Sequence, residues 1–240
     1  MRTSESLILV PGLLCDATVW RGQVGALAGS CSVHIATHGL RDSLAEMAGH
    51  ILDTAPPTFS LAGHSMGGRV ALEVLRRAPE RVTRLALLDT GFEALPAGDA
   101  GERERVGRYR LLDIARRDGM LAMGREWASG MVHPSRLADD AALMDAIHQM
   151  IARASLAQFE AQIHALLQRP DCTELLAGIH VPTLLLCGRE DGWSPLARHV
   201  EMAQRIVGSV LVDVPDCGHM STMEQPRAVT SALRAWLQQQ

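Results

Sequence analysis

The sequence predicts an α/β protein: a mostly parallel sheet of about six strands, helices on both faces, and a helical cap inserted after the fourth strand. Three observations carry this. Short, continuous apolar runs alternate with segments of helical period over most of the 240 residues, the pattern of strands buried on both faces and joined by crossover helices. That alternation stops between about Phe92 and Asp171 and then resumes. The third apolar run leads through Gly63-His64-Ser65-Met66-Gly67 directly into a helical pattern, so the chain turns sharply at one serine.

Taken in order, Leu7 to Val10 is the first strand, stopped by Pro11-Gly12. Leu13 to Trp20 enters a helix, with Asp16 placed to cap it. Val33 to Ala36 is the second strand, and the helix through Leu44, Met47, Ile51 and Leu52 ends at Pro56-Pro57. Phe59 to Ala62 is the third strand, and Val70, Leu72, Val74 and Leu75 mark the helix after Ser65. Leu85 to Leu88 is the fourth strand, ending in Asp89-Thr90-Gly91. Only helical patterns follow: Val106 to Ala115, Met120 to Trp127, Leu143 to Ala152 and Phe159 to Leu167. Strands return at Val181 to Gly188 and Val210 to Val214, each followed by a helix, the last from about Pro226 to Leu237. The expected division is a core of residues 1–91 and 172–240 with a cap over 92–171.

Composition narrows the function. With 47% apolar and 21% charged residues, the chain reads as an ordinary soluble globular protein. A net charge of −4 gives no reason to expect nucleic acid as a partner, and no apolar run approaches the roughly eighteen residues that span a bilayer. The first residues show no signal-peptide core. Cys15, Cys31, Cys172, Cys187 and Cys217 match neither a disulfide framework nor a metal site. The expectation is a cytoplasmic protein without metal or cofactor, acting on a small molecule, its oligomeric state unspecified.

A parallel sheet of this kind places ligands at the carboxyl ends of its strands. The polar residues there are Ser65, Asp89, Glu190, Asp191 and His219. A serine hydroxyl needs a base to take its proton, and the base needs a carboxylate to fix its tautomer. Of the ten histidines, only His219 follows a strand end and a glycine and precedes a helix. His50, His148, His164 and His199 lie in helical patterns and are expected at partly exposed positions, while His64 is expected to point away from Ser65 and pack. Asp191, in the loop after the fifth strand, is the favoured acid, with Asp89 the alternative and otherwise a brace for a turn or helix cap. Backbone donors for an oxyanion fall to Met66, at the start of the helix after Ser65, and to Leu13, which Gly12 allows to turn inward.

With these residues named, the sequence resembles the α/β-hydrolase family over nearly its whole length. The resemblance rests on Val10-Pro11-Gly12-Leu13, Gly63-His64-Ser65-Met66-Gly67-Gly68, Gly188-Arg189-Glu190-Asp191 with Pro195, and Gly218-His219-Met220 with Glu224-Gln225-Pro226. It implies Ser65 as nucleophile, Asp191 as acid, His219 as base, and Leu13 and Met66 as oxyanion donors. The cap and the segment from Arg169 to Pro182 look most like the compact carboxylesterase and enol-lactonase branch. Where many members carry His-Gly, this chain has Pro11-Gly12.

The expected activity is hydrolysis of a small carboxylic ester, thioester or lactone through an acyl-enzyme. The alternatives are an enol-lactonase or carbon–carbon bond hydrolase of catabolism, or a binding protein with a silent triad. Arg103, Arg105, Arg108, Arg110, Arg116 and Arg117 suggest a site for an anionic substrate or acidic carrier protein, although interspersed acids favour a solvated helix face.

Overall fold

The computed structural model describes residues 5–239. Its strands are β1 (Ser6–Val10), β2 (Ser32–Ile35), β3 (Phe59–His64), β4 (Val82–Leu88), β5 (Thr183–Gly188) and β6 (Val210–Val214). They form one sheet in the order β2-β1-β3-β4-β5-β6, and every pairing is parallel. β3 and β5 are buried along their whole length, whereas the edge strands β2 and β6 are only partly covered. That gradient explains why β5 carries the unbroken apolar run Leu184 to Cys187, whereas β3 buries Ser60 and His64 among its apolar residues.

The helices between the first strands are α1 (Arg21–Leu27), α2 (Leu44–Thr54) and α3 (Met66–Arg77). α3 packs on β1, β3 and β4 and against α2. Five helices follow β4: α4 (Asp99–Asp118), α5 (Met120–Ala128), α6 (Pro134–Asp139), α7 (Ala141–Ala152) and α8 (Leu156–Leu167). The short α9 (Thr173–Leu176) leads back to β5. After it come α10 (Leu196–Arg205), α11 (Ser221–Glu224) and α12 (Pro226–Leu237), the last packed on α1 and β5.

Two elements depart from the sequence expectation. The segment after β1 makes only a 3₁₀ turn over Ala17–Trp20 before α1, although Asp16 does cap it, accepting the Thr18 N–H at 2.8 Å. α6 has no apolar period to announce it; Pro134 in its first turn and the His133 side chain, which accepts the Ser135 N–H, define it instead. No helix among the described residues is long and apolar enough to cross a membrane.

Candidate active site

Ser65 occupies the turn between β3 and α3 with φ 56° and ψ −120°, a region of backbone space that costs a non-glycine residue roughly 1–3 kcal/mol. Its surroundings hold it there. The Ser65 N–H donates to the Leu88 carbonyl at 2.9 Å, and the Ser65 carbonyl accepts from the Thr90 hydroxyl at 2.6 Å. The flanking glycines are required by contact: a Cβ on Gly63 would fall against the Gly67 carbonyl, and one on Gly67 against the Val10 carbonyl. The result is a hydroxyl held at the carboxyl edge of the sheet.

His219 lies in the loop between β6 and α11. Its Nε2 is 2.8 Å from Ser65 Oγ and its Nδ1 is 2.8 Å from Asp191 Oδ2. This network assigns the proton to Nδ1 and leaves Nε2 free to accept from the serine. The other Asp191 oxygen accepts the N–H groups of Trp193 and Ser194, at 2.8 and 2.9 Å. Burial works against both charges. Even so, the His219 charge and hydrogen bond, with the two N–H groups, hold the Asp191 carboxyl below its ordinary range. Burial likewise disfavours a charged His219, but Asp191, Asp89 and Glu224 outweigh it and leave the imidazole more basic than usual.

His64 is not on the far side of the turn as the sequence suggested. Its ring lies 5.5 Å from that of His219, and its Nε2–H donates to the His219 carbonyl at 2.8 Å. Burial, then the neighbouring His219, pull its pKa down to about 4. It is therefore neutral, and its 3.6 Å approach to Asp89 is not an ion pair. His199 also departs from expectation: it is fully buried and accepts the Thr90 N–H at 3.2 Å, fixing the loop that in turn holds Ser65.

Asp89 is fully buried and does not bond His219. It accepts the Gly188 N–H at 2.9 Å and the Ser221 hydroxyl, tying β4 to the end of β5 and the start of α11. Burial, reinforced by the charge of Asp191, pushes its carboxyl well above the usual carboxylate range. Asp89, Cys187 and Asp191 are the one group of potential metal ligands that converges among the described residues. Both carboxylates are already committed to hydrogen-bond donors, and burial pushes the Cys187 thiol up, so the trio has no thiolate to offer.

The His219 loop has a second anchor. The Glu224 carboxylate accepts the N–H groups of Gly218 and Met220 at 3.1 Å and of His133 at 2.7 Å. The His219 N–H donates to the Met131 carbonyl at 2.7 Å. The loop is thus bonded on two sides to the segment 131–133, which joins α5 to α6.

Leu13 follows Gly12 in the loop after β1, beside Ser65 because β1 and β3 are neighbours. A Cβ on Gly12 would lie 3.1 Å from the Ser65 Cβ. Among the described residues, neither the Leu13 N–H nor the Met66 N–H has a protein acceptor. The loop is braced by His38, whose Nε2–H donates to the Pro11 carbonyl at 2.9 Å, and by Gln162 of α8, whose Oε1 accepts the Leu14 N–H at 2.8 Å. Leu14 has φ 57°, so this long-range bond holds a left-handed turn.

Leu13, Ser65, Met66 and His219 open onto a cavity of about 610 Å³ whose far wall comes from α4, α5 and α8. Trp193 lies 5.0 Å from the His219 ring and stacks on Trp127 of α5 at 5.4 Å. Most arginines of α4 pair on the helix surface: Arg105 with Glu102, Arg110 with Glu126, Arg116 with Asp113 and Glu160, Arg117 with Asp118. Arg108 instead bonds Glu104, which also receives a bidentate bond from the buried Arg169.

Sequence reading missed Gln162, Arg69 and Arg198, and gave Glu224 no role. Each acts across a long separation, and only the helical position of each side chain was visible in the sequence. The Glu224-Gln225-Pro226 run was the one local sign, since an acid just before a helix-opening proline marks a cap region.

The profile described as "Alpha/beta hydrolase family" matches residues 7–232. The chain is similar to pimeloyl-acyl-carrier-protein methyl ester esterase of Nitrosomonas europaea, at 27% identity over 242 residues, covering 95% of this chain and 94% of that one. Among solved structures it is similar to a thermophilic esterase from Thermogutta terrifontis, with TM-score 0.85 and 29% identity over 98% of this chain and 90% of that one. An enol-lactonase from Burkholderia xenovorans shares the fold, with TM-score 0.85 and 23% identity over 98% and 92% of the two chains.

Proposed function

This chain belongs to the alpha/beta hydrolase family and is a hydrolase, and from that premise we propose that it cleaves a small carboxylic ester, thioester or lactone through an acyl-enzyme. The observation that carries this reading is the continuous chain Ser65 Oγ, His219 Nε2, His219 Nδ1 and Asp191 Oδ2, with both links at 2.8 Å, at the floor of a cavity.

In this reading His219 takes the Ser65 proton as the oxygen attacks the substrate carbonyl, and Asp191 stabilises the imidazolium that results. The Leu13 and Met66 N–H groups receive the oxyanion; each such donor is worth about 3 kcal/mol in the transition state. The imidazolium then protonates the leaving group. In the second half His219 activates water, which releases the acid and restores Ser65. Residues 92–171 serve as the cap that closes the cavity and selects the substrate. The esterases at 27% and 29% identity support an ester as the scissile group.

The same three side chains would also serve a lactone ring or a carbon–carbon bond. Turnover of p-nitrophenyl acetate and butyrate, with Ser65→Ala alongside, tests the ester reading. Wild type is expected to turn over and the variant to lose at least about a thousandfold. Equal rates in the two proteins overturn it, and esters left untouched while an enol-lactone or diketone is cleaved would move the assignment to those bonds. Labelling of Ser65 by a fluorophosphonate is expected, and its failure would favour a binding protein.

A further inference from the structure

Resting on the hydrolase reading above, we propose that Arg69 and Arg198 form an anion subsite in the same cavity, and that the substrate is an ester or lactone carrying a second, ionised carboxylate. Arg69 lies in the first turn of α3, immediately beyond the turn that carries Ser65, and Arg198 in the first turn of α10. Both line the cavity that holds Ser65 and His219.

The two guanidinium groups meet over Gly91. A Cβ at that position would lie 2.7 Å from Arg69 Nη2 and 2.9 Å from Arg198 Cδ, so the two arms close over the backbone there. Like charges packed this way need a neutralising partner, and the protein supplies little. Arg69 donates to the Glu93 carbonyl at 2.7 Å, and among the described residues no carboxylate pairs with it. Arg198 has Glu93 Oε2 at 3.2 Å and also donates to the Trp193 carbonyl. Next to them Glu104 is already shared by Arg108 and Arg169. Four guanidiniums therefore meet two carboxylates in this corner.

The imbalance shows in Arg69 itself. Burial, then the charges of Arg169 and Arg198, pull its pKa down to about 9. A guanidinium in protein stays charged at neutral pH, so Arg69 is a buried cation that faces other cations and has no carboxylate bonded to it among the described residues. A carboxylate fits the vacancy by the usual fork geometry of arginine. The Trp127–Trp193 stack forms an apolar wall at the same cavity, suited to the carbon chain between the two acid functions.

Two measurements test this. The first is the ratio of kcat/KM for p-nitrophenyl hydrogen glutarate over p-nitrophenyl butyrate, which cancels any general loss of activity. It is expected to exceed about tenfold in wild type and to fall toward one in Arg69→Met and Arg198→Met, with partial recovery in Arg69→Lys. The second is calorimetric binding of monomethyl glutarate to Ser65→Ala, expected to weaken about tenfold or more when Arg69→Met is added. A wild-type ratio at or below one, or an Arg69→Met ratio equal to wild type, overturns the subsite. Should neither ester turn over, the hydrolase reading fails by itself. The calorimetry still decides the subsite, and equal affinities in the two proteins overturn it.

Discussion

Replacing Glu224 with glutamine asks how firmly the His219 loop must be held. The carboxylate gathers three N–H groups, the buried ones of Gly218 and Met220 and the half-buried one of His133. Truncation to alanine would strand all three, at about 1–3 kcal/mol each. That loss approaches the roughly 5–15 kcal/mol that stabilises a whole domain, so Glu224→Ala is expected not to fold well enough to assay. Glutamine keeps one oxygen, which can still serve Gly218 and Met220, but it turns an NH2 toward the His133 N–H. One donor is lost, at about 1–3 kcal/mol, or a fall in Tm of roughly 2 to 12 °C for a chain of this size. Because His219 lies inside the clamped loop, a shift approaching 1 Å would cost kcat up to about a hundredfold. Glu224→Gln is therefore expected to lose about ten- to hundredfold in kcat on p-nitrophenyl butyrate, with KM little changed. Wild-type melting together with wild-type kcat would refute the clamp.

Five further outcomes follow from the geometry. Asp191→Asn presents the wrong hydrogen-bonding partner to His219 Nδ1 and is expected to lower kcat about 10⁴-fold, the scale of the same change in serine proteases. Because His219 is more basic than an ordinary imidazole, wild-type kcat/KM should fall as pH drops through a value above about 6.5, and in Asp191→Asn that inflection should move down; an unmoved inflection contradicts the assignment. Gln162→Leu leaves the buried Leu14 N–H without its acceptor and should reduce kcat, with Gln162→Glu restoring part of it; steady-state kinetics of the pair decide this. Gly67→Ala drives a methyl into the Val10 carbonyl and should abolish folded protein, which a Tm within about 2 °C of wild type would disprove. Asp89 has a raised folded pKa, so the stability it contributes is full below the unfolded value of about 3.9 and is lost as pH rises through the folded value; the Tm of Asp89→Asn should accordingly change less than that of wild type between pH 6 and pH 9, and an equal slope would refute it.

The strands were legible because each is short, apolar and punctuated. β5, buried on both faces, shows as an unbroken run, β3 as one interrupted only by Ser60 before its glycine, and β6 begins and ends where its residues say. The positions of Ser65, Asp191 and His219 at strand ends were legible for the same reason: a parallel sheet brings all those ends to one edge. What the residues around them touch was not. His199 read as a helix-face polar residue and Gln162 drew no reading, yet both are buried, because the faces that cover them come from elements far away in sequence. His64 misled through local geometry. Side-chain alternation sends it away from Ser65, but the left-handed φ of Ser65 breaks that alternation. The α4 arginines read as one basic set; acids three residues earlier, a chain neighbour and acids of α5 and α8 hold Arg105, Arg110, Arg116 and Arg117 at the surface, while Arg108 turns to the shared Glu104.

The double bond between the His219 loop and segment 131–133 bears on how enzymes of this architecture can be recombined. Because the imidazole's own backbone hangs from Met131 and shares the Glu224 clamp with His133, a graft that exchanges α4 to α8 wholesale also exchanges part of what aims that ring. Chimeras that retain native residues 131–133 together with Glu224 should keep turnover on simple esters, while those that import a donor's version of that short stretch should bind ligands yet stay slow until a matching acid is supplied.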